Sequence, residues 1–398
     1  MIKAPAHRMK TTVGIIGGGP AGLLLSHLLD RAGVDSVILE RQTRAYVLSR
    51  IRAGVLEQGT CDLLRAAGLG DRLDQEGLRH SGVNLAFQGK VARIDLETLT
   101  GGKVVTVYGQ TKVTEDLYNA RDSAGARMVH EAKDVQPHDI ETESPYLTFE
   151  HEGLDHRLDC DFIASCDGHH GIGRQMIPSS SRNEFELQYP FGWIGVLAKT
   201  PPPNEELIYA SHQRGFVLCS MRSETISRYY LQAALQDTPE DWPDDRFWDE
   251  LKQRLPSEVS ATVIEGPSIE KSMTPLRSFV SEPLSHGRMF LAGDAGHIVP
   301  PTGAKGLNLA VSDVKYLSDA LIAYYRHGDE TGLKSYDRLA LSRVWKAARF
   351  SWHLTTLMHH FPDEGAFREK VQKAELDYLV GSKAAMTAFA ENYVGLPL

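Results

Sequence analysis

Gly17-Gly18-Gly19-Pro20-Ala21-Gly22 stands between a short apolar run, residues 12–16, and a segment of helical periodicity, residues 20–32, with Leu23, Leu24, Leu28 and Leu29 on one side. A glycine pattern Gly-x-Gly-x-x-Gly at the turn from a strand into a helix is the context a dinucleotide-binding unit requires. Gly17 permits the tight turn, Gly19 lets backbone approach a pyrophosphate, and Gly22 lets helix and strand pack closely. The helix N-terminus presents free N–H groups and a positive dipole end to phosphates. A second apolar run, residues 37–39, ends at Glu40, placed to accept hydrogen bonds from a ribose diol. Strand, helix and strand make a βαβ unit, so the sheet there is expected to be parallel.

The turn alone leaves NAD and FAD open; Glu40 repels a 2′-phosphate. A later stretch, Leu291-Ala292-Gly293-Asp294-Ala295-Gly296-His297, points to FAD. An Asp at that strand end can bind a polyol, which FAD carries in its ribityl arm and NAD lacks; it can also simply cap a helix. Between the two lies Cys166-Asp167-Gly168-His169-His170-Gly171-Ile172-Gly173-Arg174. The three stretches in this order, with one dinucleotide fold, point to a flavoprotein.

At 398 residues the chain exceeds one ordinary core. Its 42% hydrophobic and 24% charged residues are those of a globular protein, and a net charge of -9 argues against nucleic-acid binding. Cys61, Cys160, Cys166 and Cys219 have neither the number for a disulfide framework nor metal-site spacing, which fits reduced thiols in a cytoplasm. No apolar run approaches the roughly 20 residues needed to cross a bilayer, and the first ten residues lack the apolar middle of a signal peptide. The His169-His170 and His359-His360 pairs have no acidic or cysteine company at ligand spacing, so no metal is expected.

The expected fold class is α/β. A Rossmann-like FAD-binding domain spans residues 11–180, completed by 285–350, behind a disordered extension at 1–10. A mostly antiparallel substrate-binding sheet spans 181–284, and a helical C-terminal interface region spans 351–398. Within these, residues 55–67 have helical spacing, 83–95 read as a hairpin turning at Gln88-Gly89, and 112–126 as a helix. Residues 191–199, 207–211, 215–221 and 227–232 read as strands, with an amphipathic helix at 244–255 on their flank. Arg41, Arg44, Arg50 and Arg52 form a basic cluster in an acidic chain, suited either to phosphates or to a solvated face. Ser220 and Arg222, two apart on one strand, face the same side; an Arg fork beside a hydroxyl suits a carboxylate.

Taken together, these stretches, with Arg50 to Gly59, Val107 to Thr111, Arg228-Tyr229-Tyr230, Pro275 to Phe279, His297 to Asn308 and Ala390 to Gly395, resemble the group A aromatic flavoprotein monooxygenases over residues 11–397. The resemblance implies tightly bound FAD on Gly17, Gly19, Gly22, Glu40, Arg52, Gln110, Asp294, Lys305, Leu307 and Asn308. Lys305 and Asn308 would border the flavin ring, a nearby cation favouring the anionic reduced flavin. With no second glycine fingerprint, NADPH (or NADH) would lie in a surface groove on Arg41, Gln42, Tyr46, Arg52, His170 and Arg277. The implied substrate is 4-hydroxybenzoate, its carboxylate held by Ser220, Arg222 and Tyr230, its phenol against Tyr209 and the Pro301 carbonyl. Tyr393 behind Tyr209, and His80 nearer solvent and titrating near neutrality, would carry the phenol proton out. The implied cycle is flavin reduction by NADPH, oxygen addition at flavin C4a, transfer of the distal hydroperoxide oxygen ortho to the phenolate, and loss of water, giving 3,4-dihydroxybenzoate for aromatic catabolism. A cytoplasmic homodimer is expected by family analogy.

Arg44, His169 and Gly296 depart from the family pattern. A related hydroxylase of another phenolic acid, such as 3-hydroxybenzoate, is the nearest rival. A flavin halogenase would need a Trp-x-Trp-x-Ile-Pro stretch, which is absent. A non-catalytic FAD or NAD sensor is the rival from another class; it would need no buried proton chain.

Overall fold

A computed structural model describes residues 7–50 and 54–398. The glycine turn sits where the sequence puts it, between the buried strand Val13–Ile16 and the helix Pro20–Arg31. Val13–Ile16 lies inside a six-stranded sheet, parallel to Ser36–Leu39 on one side and to Phe162–Ser165 on the other. Met289–Leu291 runs parallel to Phe162–Ser165, so three distant segments join one sheet. Its four central strands are entirely buried, as continuous apolar runs covered on both faces should be; Leu147, Phe149 and Leu158 of a separate four-stranded sheet join the same core as the helix Pro20–Arg31.

An eight-stranded sheet forms the second layer. Asn183–Ala198 pairs antiparallel with Ser268–Glu282 and with Ile226–Ala233. Val217–Ser223 and Ile208–Ser211 continue the antiparallel order. The hairpin Gly82–Phe87 and Lys90–Asp95, with Gln88 and Gly89 both at positive φ as a tight two-residue turn needs, joins this sheet rather than the parallel one. It pairs parallel with Ile208–Ser211, the one parallel junction of this sheet. Alternation along each strand divides its faces. Ile208, Ala210 and Val217 pack with Phe247, Trp248 and Leu251 of the helix Asp244–Arg254. Leu207, Tyr209 and Leu218 point the other way, into a core shared with the C-terminal helices.

Gly306–His327, Thr331–Met358, Gly365–Gly381 and Lys383–Val394 are helical, as the composition after residue 306 implies. Two local expectations change, and one strand was not anticipated. His7–Lys10 is no disordered extension; it pairs parallel with Leu154–Asp159. Residues 55–67 split into the short strand Val55–Leu56 and the helix Gln58–Ala66, because Val55 and Leu56 pair with Val107 and Thr106. Ser268–Glu282, which has no apolar alternation to announce it, is a 15-residue strand stabilised by its length of backbone pairing. No helix among the described residues is long and apolar enough to cross a membrane.

Candidate active site

One cleft of about 1370 Å³ runs from the carboxyl ends of the parallel strands to the face of the eight-stranded sheet, the position where open α/β sheets take ligands. The glycines at its inner end are there for different reasons. Gly17 has φ +102, and a Cβ on it would meet the Cys166 carbonyl at 2.4 Å. A Cβ on Gly22 would meet the Gly17 carbonyl at 2.0 Å. Both are fixed by the fold. A Cβ on Gly19 would meet nothing within 4 Å; Gly19 lines the cleft, so only something bound there could object to a side chain.

Around this turn the cleft is lined by Gly17, Glu40, Gln110, Asp294, Lys305 and Leu307, brought from five separate stretches of chain. Glu40 is 8% exposed, and its carboxylate accepts from the Gly18 N–H at 2.6 Å and the Gln42 N–H at 2.8 Å. Each oxygen keeps a lone pair for a ligand. Asp167 organises the middle stretch: it accepts from Ser165 Oγ at 2.9 Å and the Gly173 N–H at 3.0 Å. Arg174 ties that stretch to the third, donating to the Ala295 carbonyl at 3.1 Å.

Asn308 does not border the cleft. It is 1% exposed and fully bonded: Nδ2 donates to Val55 and Ala304 carbonyls at 2.9 and 2.8 Å, while Oδ1 accepts from the Glu57 N–H and Thr60 Oγ1 at 2.9 and 2.8 Å. Lys305 reaches the wall, but its ammonium is held by Glu57 at 2.6 Å and the Tyr393 carbonyl at 2.9 Å. Burial pushes its pKa down against the pull of Glu57. Glu57 also binds Arg343 at 2.6 Å, so one buried carboxylate serves two cations. The sequence reading missed Glu57 and Arg343; an acidic residue ahead of a helix gives no signal that two distant cations will converge on it.

Farther out, Arg41, Gln42, Tyr46, Arg50, His170 and Arg277 line the same cleft. Arg44 leaves the expected basic cluster, because Asp122 and Asn119 bind its guanidinium and Tyr118 stacks on it at 4.7 Å. Arg52 lies outside the described residues.

At the opposite end the eight-stranded sheet brings Tyr209, Leu218, Ser220, Arg222 and Tyr230 to the cleft. Leu218 and Tyr230 are cross-strand partners, and pairing shifts between Met221 and Ser223, so Arg222 projects from a local irregularity of the kind that re-aims a side chain. Protein surrounds the Arg222 guanidinium and what exposure it has is to the cleft; Nη1 is sealed with no partner among the described residues. Burial pushes this cation below its ordinary pKa, Tyr230 opposing and neighbouring Arg228 adding to the shift. Arg228 itself is paired, with Glu270 at 3.0 Å and Ser272 at 3.1 Å. Arg222 thus carries a buried positive charge with no carboxylate partner among the described residues, at a substantial desolvation cost.

Tyr209 is fully enclosed, and its hydroxyl is 3.0 Å from that of Tyr393. Burial raises the Tyr209 hydroxyl to about 12, and the Tyr393 hydroxyl well above its ordinary value. Pro301 lines the cleft from the turn Pro301–Gly303. His80 overturns one expectation. It is 2% exposed rather than near solvent, neither ring nitrogen has a partner, and no hydrogen bond joins it to either tyrosine among the described residues. Burial lowers its pKa to about 4 despite Glu206, so it is neutral at pH 7 rather than titrating there. No cluster of potential metal ligands occurs among the described residues.

Comparison with known proteins places this geometry. A family model described as an FAD binding domain matches residues 10–351. The p-hydroxybenzoate hydroxylase of Acinetobacter baylyi is 56% identical over 98% of this chain and 96% of its own. A para-nitrophenol 4-monooxygenase of a Pseudomonas species is 25% identical over 83% of this chain and 82% of its own. Among solved structures, the p-nitrophenol 4-monooxygenase of Pseudomonas putida shares the fold, with TM-score 0.80 over 98% of this chain and 100% of its own at 17% identity. Three sequence stretches converging on one cleft, a match to the FAD-binding model over most of the chain and a near-full-length relative agree: the chain belongs to the FAD-binding family of flavoprotein aromatic monooxygenases.

Proposed function

We propose that this protein hydroxylates 4-hydroxybenzoate at the carbon ortho to its phenol, giving 3,4-dihydroxybenzoate, with NADPH as reductant and O2 as oxygen donor. The observation that carries the substrate reading is Arg222: a buried cation with Nη1 unpartnered and no carboxylate beside it among the described residues, lining a cleft beside a buried pair of tyrosines. The 56% identical hydroxylase supports the same assignment.

The residues present fit FAD. Gly19 leaves the backbone open to the cleft, where it would admit a pyrophosphate; Glu40 would hold the ribose and Asp294, on the cleft wall, the ribityl arm. A cleft of about 1370 Å³ exceeds the roughly 300–1,000 Å³ of a typical small-ligand site, leaving room for a small acid beside the dinucleotide. Bound FAD supplies hydride acceptance and oxygen activation; the protein supplies the rest. Arg222, with Ser220 and Tyr230, binds the benzoate carboxylate and selects against analogues lacking one, which leave the cation unpaired. A free phenol has a pKa near 10 and is a weak nucleophile until deprotonated. Tyr209, itself held protonated by burial, hydrogen-bonds the substrate oxygen and passes its proton to Tyr393. His80, buried, neutral and without a bonded partner among the described residues, is assigned no step in this path. The Pro301 carbonyl orients the ring. Trp193, Leu207 and Leu218 exclude water around it. NADPH docks on Arg41, Gln42, Tyr46, His170 and Arg277 in the outer cleft. A cytoplasmic homodimer completes the proposal.

The test is NADPH oxidation by the yellow, FAD-loaded protein with a panel of phenolic acids and product identification by mass spectrometry. A sharp stimulation by 4-hydroxybenzoate with 3,4-dihydroxybenzoate as product is expected. Stimulation by 3-hydroxybenzoate instead, or substrate-independent oxidation alone, rejects the reading.

A further inference from the structure

The His359-His360 pair, set aside as a metal site, has a structural task the mechanism above does not use. His359 follows the helix Thr331–Met358 and is 0% exposed. Trp193, which lines the cleft, donates its indole N–H to His359 Nε2 at 2.7 Å. An indole nitrogen can only donate, so Nε2 must be the bare nitrogen and Nδ1 carries the hydrogen. Nδ1 is 2.9 Å from the Thr355 carbonyl and donates to it. One tautomer is fixed. Burial lowers the imidazole pKa to about 3, so the ring stays neutral.

The contacts continue in two directions. Thr355 and Thr302 hydroxyls, both 0% exposed, are 2.9 Å apart, and Thr302 adjoins Pro301. A Cβ on Gly303 would meet Ser351 Oγ at 2.5 Å, so the helix rests directly on the turn Pro301–Gly303. On the sheet side, His360 exchanges backbone bonds with the Gln232 side chain at 2.6 and 3.0 Å, and Gln232 is the cross-strand partner of Trp193. The His359 ring also stacks on Phe191 at 4.7 Å and Phe216 at 4.3 Å. A flat ring with an acceptor at one edge and a donor at the other is needed here. Phenylalanine offers the ring without the bonds, and glutamine offers an acceptor without the ring.

We propose that His359 is a positioning residue: by joining Trp193 to Thr355, and through Thr355 to the Pro301 turn, it fixes the spacing of the two walls between which the aromatic substrate is oxidised. This rests on the hydroxylase reading above. Substitution is therefore expected to loosen ring placement and reduce product formed per NADPH, while leaving the FAD end intact.

The test compares wild type with His359→Phe, His359→Gln and Thr355→Val, each loaded with FAD. In His359→Phe, flavin content is expected to match wild type while 3,4-dihydroxybenzoate per NADPH falls about tenfold, within the up to about 100-fold that a 1 Å misplacement can cost. His359→Gln, which restores an acceptor for Trp193, recovers part of the coupling. Thr355→Val, isosteric and less disruptive, lowers coupling on its own. Independently of turnover, wild type carries 5 tryptophans, and one indole N–H is expected to be downfield and strongly protected from hydrogen exchange, in a signal absent from Trp193→Phe. Full coupling in folded His359→Phe and Thr355→Val, or a Trp193 indole proton that exchanges freely in wild type, overturns the proposal. Absence of substrate-stimulated oxidation in wild type strikes instead at the hydroxylase reading, and the indole measurement still decides whether the strut exists.

Discussion

Replacing Arg222 by methionine separates binding from stability. The guanidinium is buried with Nη1 unpartnered, and no carboxylate among the described residues lies within ion-pair distance. An unsatisfied buried donor costs about 1–3 kcal/mol, more when charged. Methionine fills similar volume without that cost, so Arg222→Met is expected to leave the substrate-free protein as stable as wild type or up to about 3 kcal/mol more stable. Substrate binding moves the other way. Removing one partner of a buried, hydrogen-bonded charge pair costs about 2–5 kcal/mol. At 1.4 kcal/mol per tenfold, that weakens 4-hydroxybenzoate binding by about 30-fold to a few thousand-fold. Titration of flavin absorbance with 4-hydroxybenzoate gives the affinity, and urea unfolding without ligand gives the stability. Wild type should be strongly stabilised by the ligand and the variant hardly at all. A variant that unfolds more easily yet binds 4-hydroxybenzoate with wild-type affinity refutes the reasoning: the arginine would then be a structural residue and the carboxylate would sit elsewhere.

Tyr209→Phe removes the hydroxyl 3.0 Å from Tyr393 without changing the ring; NADPH oxidation is expected to persist while the hydroxylated product falls by about 10²–10⁴-fold, the usual worth of a positioned acid or base, with peroxide made instead. Peroxide and product assays on one sample check this, and tight coupling would remove Tyr209 from the proton path. Gly19→Ala is expected to fold yet lose bound FAD, since its Cβ meets only open cleft, whereas Gly22→Ala, with a Cβ 2.0 Å from the Gly17 carbonyl, is expected to fail to fold; flavin content and circular dichroism distinguish the two, and equal flavin loading of Gly19→Ala and wild type would count against pyrophosphate binding there. Acid should destabilise the protein well above the carboxylate range. Burial holds His80 and His169 near pKa 4 and His359 near 3, from an ordinary 6.5. These groups take up protons on unfolding, so the stability they allow is complete above pH 6.5 and drains away as pH falls toward 4. His297 acts in the opposite sense: burial lowers its pKa, but Asp313 and Asp294 together raise it above its ordinary value. Melting temperature measured from pH 7 to 4 should fall, less steeply in His80→Asn; a flat profile would show that these imidazoles are hydrated and titrate normally.

Much of the architecture was legible because it is written in local pattern. The glycine turn, the first two parallel strands and the switch to antiparallel strands all lie where alternation, helical period and turn residues put them. The candidate site was partly legible for the same reason: Gly17, Glu40 and Asp294 each follow a strand that its apolar run marks, whereas Arg222 projects from a pairing irregularity that alternation does not show. Ser268–Glu282 escaped because its stability comes from backbone pairing along its length rather than from an apolar face. The hairpin Gly82–Phe87 and Lys90–Asp95 was recognised, but its docking on the other sheet follows from pairing with a strand more than a hundred residues away.

What the sequence determined by itself is therefore the βαβ unit, the order of sheet types and the chemical types available to the cleft, since these depend on residues within a few positions of each other. Tertiary packing decided the charge states and partners. It buried His80 and made it neutral, turned Arg44 away to Asp122, and spent Lys305 and Arg343 on one glutamate. It left Arg222 with no carboxylate, and its Nη1 with no partner, among the described residues. Desolvation and ion pairing depend on which groups meet in space, and residues 57, 305, 343 and 393 meet only after the whole chain has closed around the cleft.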